Sequence, residues 1–263
     1  MFADAKAYEQ FMGRWSRLIA AQLVDFTVVP DLGRLLDVGS GTGALAFVLA
    51  ESKPAAHVLG IDPSKEYIEY ANSRNTFAHR VGFETGDAQQ LRFADASFDA
   101  SLSLLVFNFI PDPIKALKEV RRVTKPGGQV SACVWDYGSG MEMLRTFWDA
   151  AVKLDPKAEK LDEKHMRLCR ATELSALWQQ GGLVNIHEQP LAIKMNFESF
   201  KDYWNPFLLG QGPAGAYVKS LNPGSVRALR QELRSRVSPS GENLPIALSA
   251  RVWSVRGTVP GRS

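Results

Sequence analysis

Apolar and polar positions change their period along this chain. From Gly33 to about Trp135, short apolar runs alternate with stretches whose apolar residues recur every three or four positions. The runs "RLLDV", "HVLGID", "VGFETGD", "FDASLSLLVF" and "QVSACVW" predict strands. "FDASLSLLVF" is apolar almost throughout, as a strand covered on both faces should be. Between the runs, "GALAFVLAESK", "SKEYIEYANSRN" and "DPIKALKEVRRVT" predict helices, and in the last Ile114, Leu117, Val120 and Val123 share one side. "KPGG" is read as the stop of that helix. Strands alternating with helices predict an α/β fold: a mostly parallel sheet with helices on both faces.

Beyond Trp135 the pattern loosens. "GMEMLRTFWDAAVKL" and "ATELSALWQQGG" predict helices, separated by a charged stretch from Asp155 to Arg167. "LVNIHEQPLAIKMNF" reads as a strand whose proline suggests an edge or a break, and "LPIALSARVWSVRG" as a last strand. Residues 198–237 form a helical insert between those two strands, and its breakers, "NPFLLGQGPAG", suggest a hinged lid or substrate cap. The whole chain, 1–263, is expected to be a single domain bearing this insert.

Composition adds exclusions. Apolar residues make up 45% and charged residues 22%, which is ordinary for a folded globular chain. A formal net charge of +3, with no basic block, gives no reason to expect nucleic acid as a partner. The N-terminus lacks a secretory pattern, and the longest nearly apolar run is about ten residues, half of what spans a bilayer. The expectation is a cytoplasmic protein with no membrane partner. Cys133 and Cys169 are far apart with no metal-ligand spacing, so no metal is expected.

The chemistry gathers around "LLDVGSGTGALA", residues 35–46. Gly39, Gly41 and Ala44 fit the G-x-G-x-x-A spacing of a dinucleotide loop. Asp37, Gly39, Gly41 and Gly43 equally fit a loop that passes close under a nucleoside. Asp37 lies two residues before Gly39, where it suits a ligand ammonium. Asp62, about twenty residues on, can accept both hydroxyls of a ribose. Asp87 of "GDAQQL" can accept an amino hydrogen of adenine. Acids at the ends of three successive parallel strands sit where such sheets bind ligands. Together they describe S-adenosylmethionine better than NAD.

"LLDVGSGTG", "VLGIDPS", "GDAQQLRFADASFD" and "ALKEVRRVTKPGG" resemble, in order, the motifs of class I S-adenosylmethionine-dependent methyltransferases of the type 11 group. The quinone-biosynthesis C-methyltransferases belong nearby. The resemblance covers about residues 34–136 and implies a Rossmann-like seven-stranded sheet with an antiparallel last strand. It implies that Asp37, Gly39 and Gly41 line the methionine part of the cofactor. Asp62 with Pro63 would hold the ribose, Asp87 with Ala88 the adenine, and Leu104 would approach through its backbone. Residues 1–30 resemble the cofactor-covering helices of such enzymes, with Tyr8 and Arg14 as cofactor contacts; Arg14 suits the cofactor carboxylate.

The acceptor is a small molecule on this reading. Where related enzymes place a histidine or an Asn-Pro-Pro-Tyr-like motif, this chain has "NFIPDP". That sequence counts against methylation of nucleobase amines and supplies no histidine base. Asn108, Trp135, Tyr137, Tyr203 and Trp204 are candidate substrate contacts, and no side chain is assigned a catalytic role. Two rivals stand beside methyl transfer to O, C or N: a nicotinamide-dependent oxidoreductase, and a methyltransferase-fold protein that binds S-adenosylmethionine without methylating.

Overall fold

The first strand, β1 (Leu32–Val38), is exposed at its start and buried from Leu35 onward. It pairs in parallel with β2 (Ala55–Asp62) on one side and β4 (Phe98–Leu104) on the other. β3 (Val81–Thr85) extends the sheet beyond β2, and β5 (Thr124–Trp135) extends it beyond β4, both in parallel. With β6 (Val184–Phe197) and β7 (Ile246–Thr258) the order becomes β3-β2-β1-β4-β5-β7-β6, the last strands antiparallel. The fold is therefore the Rossmann-like, mostly parallel seven-stranded sheet that the alternation and the resemblance imply. The computed structural model describes residues 4–261.

The described chain clusters into two compact units. One comprises Trp15–Val134, Arg167–Leu191 and the chain from Val252 on; the other comprises the chain up to Arg14, Trp135–Met166 and Ala192–Arg251. The first is called the sheet unit below, the second the helical unit.

In the N-terminal stretch, α1 (Ala5–Tyr8) runs through a π-helical turn at Glu9–Gly13 into α2 (Arg14–Thr27). The sheet unit then adds α3 (Ala44–Ser52), α4 (Lys65–Ser73), α5 (Pro113–Val123) and α7 (Glu173–Gln180). α5 shows how local chemistry sets these helices. Asp112 caps it by accepting the Lys115 N–H, and Pro113 occupies the first turn, where its missing N–H costs nothing. Ala116, Leu117, Val120 and Val123 bury one face, and Arg121 and Arg122 meet the negative end of the helix dipole. β4 is covered along nearly its whole length, which explains its unbroken apolar run.

The structure differs from the pattern reading at "KPGG". The strand starts at Thr124, directly after α5, and carries these residues within β5. A register shift between Phe98 and Ala100 absorbs them, with Gly127 at φ +82°. β6 also runs through Pro190 without a break, because it lies at the sheet's edge, where a missing N–H is tolerated.

The helical unit holds α6 (Glu142–Leu154), α8 (Phe200–Leu208), α9 (Gly212–Ser220) and α10 (Pro223–Val237). Its core is aromatic: Phe147 stacks on Phe207 at 4.6 Å between centroids, and Phe207 meets Phe11 edge-on at 5.5 Å. The residues read as an insert, 198–237, form α8 to α10 in this unit.

Candidate functional site

Adjacent parallel strands β3, β2, β1 and β4 bring Asp87, Asp62, Asp37 and Leu104 to one edge of the sheet, at the strands' carboxyl ends. Asp37 is fully buried, and neither carboxylate oxygen has a hydrogen-bond partner among the described residues. Burial pushes its pKa up to about 8; the neighbouring Ala46 amide opposes the rise and the Asp62 charge adds to it. The hydroxyl of Ser40, in the next turn, is likewise buried without a partner. Buried polar groups without partners are rare in folded proteins and call for a ligand or water to complete them.

The glycines of the turn do different work. Gly39 sits at φ +74°, and a Cβ there would lie 2.5 Å from a methyl of Val106. Gly43, at φ +92°, would strike the rings of Phe47 and Phe83. Both are glycines because the protein itself fills the adjoining space. Gly41, at φ +53°, faces open space, with only a ring carbon of Tyr67 at 3.9 Å. It is the position where a ligand can approach the backbone.

Asp62 ends β2 and fastens this turn. Its Oδ2 accepts the Gly41 N–H at 3.0 Å, and its Oδ1 accepts the Ser64 N–H at 2.8 Å. Burial raises its pKa, while the amides of Ser64 and Gly41 work against the rise. Each oxygen keeps a lone pair for a further donor. Pro63 and Asp87 line one cavity of about 370 Å³, with Thr85, Gly86, Gln90 and Arg92. Asp87 is exposed, and Ala88 beside it is half-buried.

After β4 the chain turns sharply. Leu105 takes a left-handed φ of +64° while its N–H donates to the Cys133 carbonyl at 2.8 Å. Asn108 follows in a short 3₁₀ turn, Phe107–Phe109, and is buried. Arg167 donates its guanidinium hydrogens to the carbonyls of Asn108, Ile110 and Pro111. One planar cation thereby closes the irregular end of this segment. Cys133 lies buried in β5, its thiol pushed up to about 12 by burial, so it is no nucleophile.

The remaining candidates belong to the helical unit. Tyr8 is half-buried at the end of α1. Arg14 pairs with Asp202 through bonds of 3.0 and 3.1 Å, so a cofactor carboxylate would have to compete with Asp202 for it. Trp135, Tyr137 and Trp204 are buried. Tyr203 is fully enclosed and its hydroxyl donates to the Met143 carbonyl at 3.1 Å, so it serves the packing of this unit.

Gln89, Arg167 and Val106 are the residues that reasoning from sequence missed. Gln89 carried a faint signal, as the second residue after an acid in a turn, where Asx-type bonds form. Arg167 carried none, because its partners lie nearly sixty positions away.

Comparison with known proteins agrees with this arrangement. Residues 36–132 match the family model described as a methyltransferase domain. A ubiquinone/menaquinone biosynthesis C-methyltransferase of Desulfotalea psychrophila is 37% identical over 117 residues, covering 44% of this chain and 45% of that protein. A biotin biosynthesis bifunctional protein of Cellvibrio japonicus is 31% identical over 239 residues, 89% of this chain and 43% of that protein. The chain thus spans less than half the length of these relatives. Among solved structures, the YcgJ protein from Bacillus subtilis superposes with a TM-score of 0.59 at 20% identity, over 95% of this chain and 100% of that one, which shows a shared fold. The motifs and the sheet order agree with the domain match: residues 36–132 carry a methyltransferase domain of the class I S-adenosylmethionine-dependent type.

Proposed function

We propose that this chain transfers a methyl group from S-adenosylmethionine to the oxygen, carbon or nitrogen of a small-molecule acceptor. The observation that carries the reading is the buried carboxylate of Asp37 with no hydrogen-bond partner, at the end of β1 beside the open face of Gly41. A ligand ammonium there supplies the missing charge. The free lone pairs of Asp62 suit a ribose diol, and Asp87 with Ala88 suits an adenine edge. Gly39, Pro63 and Leu104 complete the wall on this reading, with Tyr8 and Arg14 as further contacts. A nicotinamide cofactor has no group that calls for Asp37, which counts against that rival.

The bound sulfonium supplies an activated methyl group. The chain's own task is then to align the acceptor and keep water out, and orientation of this kind is worth about 7–11 kcal/mol of barrier. Asn108, Trp135, Tyr137 and Trp204 are the proposed acceptor contacts, and no nucleophile or metal is required. Among the described residues, no helix is long and apolar enough to cross a membrane and no acid, histidine and cysteine cluster can hold a metal ion. A cytoplasmic location, the absence of a nucleic-acid partner and a capping role for residues 198–237 belong to the proposal.

Titration calorimetry with S-adenosylmethionine and NAD tests the cofactor. Binding of NAD alone would overturn the reading. Incubation with S-adenosylmethionine and a metabolite library, read as a mass gain of one methyl, tests the transfer. Hydrogen exchange in 198–237 with and without ligands tests the cap.

A further inference from the structure

The carboxylate of Asp87 is gripped by one neighbour. Its Oδ1 accepts the main-chain N–H of Gln89 at 2.8 Å and the Gln89 Nε2 at 3.1 Å, and its Oδ2 accepts the same Nε2 at 3.3 Å. The other end of that amide, Oε1, accepts the main-chain N–H of Asp112 at 3.0 Å. These partners dictate which way the amide faces. A carboxylate accepts and a peptide N–H donates, so a flipped amide loses both contacts.

Asp112 is also the cap of α5, its Oδ1 accepting the Lys115 N–H at 3.0 Å. One side-chain amide therefore joins the turn after β3 to the start of α5, at the end of the segment that carries Asn108. The rest of the β3 turn does not depend on this amide. Glu119 accepts the Leu91 N–H at 2.9 Å, and Arg122 donates to the carbonyls of Leu91 and Phe93 at 2.9 and 2.8 Å. Loss of the Gln89 side chain leaves the course of the turn and the main-chain bond to Asp87 Oδ1 in place, and removes the Nε2 donor that fixes the plane of the carboxylate through both of its oxygens.

We propose that Gln89 is a positioning residue for adenine recognition: it aims the open side of the Asp87 carboxylate at the exocyclic amino group and ties that contact to the segment ahead of α5. This rests on the cofactor reading above. The amide suits the task because it supplies the donor that Asp87 needs and the acceptor that Asp112 needs in one rigid plane.

The test compares S-adenosylhomocysteine with S-inosylhomocysteine, in which a carbonyl oxygen replaces the amino group. Wild-type protein should prefer the adenosyl ligand by about tenfold or more, the value of one hydrogen bond to a charged group. Gln89→Met, of similar length, should shrink that ratio by about threefold or more, and Gln89→Glu, which sets a like charge against Asp87, should shrink it further. A merely structural role would weaken both ligands alike and leave the ratio unchanged. In wild-type protein S-adenosylhomocysteine should also raise hydrogen-exchange protection across 107–112, and in Gln89→Met it should not. An unchanged ratio in the folded variants overturns the proposal. Wild-type protein that binds neither ligand overturns the cofactor reading itself, and this inference with it.

Discussion

The Oδ2 of Asp62 accepts the amide N–H of Gly41 at 3.0 Å. The acid that ends β2 thereby pins the one glycine of the β1 turn that faces open space. Loop shape and the proposed ribose acceptor are in this way a single unit, and a change at Asp62 reaches both.

Asp62→Ala should therefore do more than remove a ligand contact. It frees the Gly41 and Ser64 amides and should weaken S-adenosylhomocysteine by about 10–150-fold, or about 1.5–3 kcal/mol. Calorimetry measures the affinity, and hydrogen exchange at Gly41 should rise in the unliganded variant. An unchanged dissociation constant in folded protein would remove Asp62 from the site.

The glycines should separate by experiment. Gly39→Ala drives a Cβ to 2.5 Å from Val106 at φ +74° and should cost roughly 2–4 kcal/mol of stability. Gly41→Ala meets open space and should cost only about 1–2 kcal/mol, from its left-handed backbone. Denaturant unfolding reads both. Gly41→Val should keep a native circular dichroism spectrum yet lose thermal stabilisation by S-adenosylhomocysteine, since its branched side chain fills the approach. Normal stabilisation would reduce the loop to a plain turn.

If Asp37 meets the cofactor ammonium, as proposed, cofactor binding is a proton-linked event. With a pKa near 8 its carboxyl is mostly protonated at pH 7. An arriving ammonium favours the carboxylate, so binding should release about one proton at pH 7 and fewer as the pH passes 8. Calorimetry in buffers of different ionisation enthalpy counts the protons. Asp37→Asn should abolish the release and weaken binding together.

A second buried acid lies in the helical unit. Glu163 accepts the Trp148 Nε1–H at 2.7 Å, and burial raises its pKa from 4.5 to about 7. The Trp148 N–H and the Arg145 charge oppose the rise, while Asp162 adds to it. The sign follows from linkage: the folded state holds this proton more tightly than the unfolded chain. The stability it contributes is complete below about pH 4.5 and is lost as the pH rises through 7. Glu163→Gln should flatten that decline, by on the order of 3 kcal/mol across the window. Urea unfolding between pH 4 and 8 checks it; parallel curves for the two proteins would contradict it.

The sheet was readable because its strands and turns signal locally. A strand buried on both faces, as β4 is, has an unbroken apolar run, and the acids Asp37 and Asp62 fall at strand ends as read. The helix ends ahead of "KPGG" as read, but β5 starts earlier than its apolar run suggests, because glycine and proline also build the bulge by which β5 keeps its pairing. The division into two units left no trace in any period, since it depends on contacts between distant segments. Arg14 suits a cofactor carboxylate by residue type, and only the fold brings Asp202 to it. Gln89 and Arg167 act through main-chain groups, whose positions no residue type announces.

Arg167 also bears on how this fold changes its chemistry. It lies outside the matched domain, 36–132, yet it fastens the carbonyls of the segment that carries Asn108. The strands that end at Asp37, Asp62 and Leu104 and the clamp on that segment therefore occupy separable stretches of sequence. A graft of residues 36–132 into another scaffold would carry the acids and the glycine turn but leave Asn108 to Pro111 unfastened. A change confined to the flanks of such a domain would then loosen that segment and leave the glycine turn untouched.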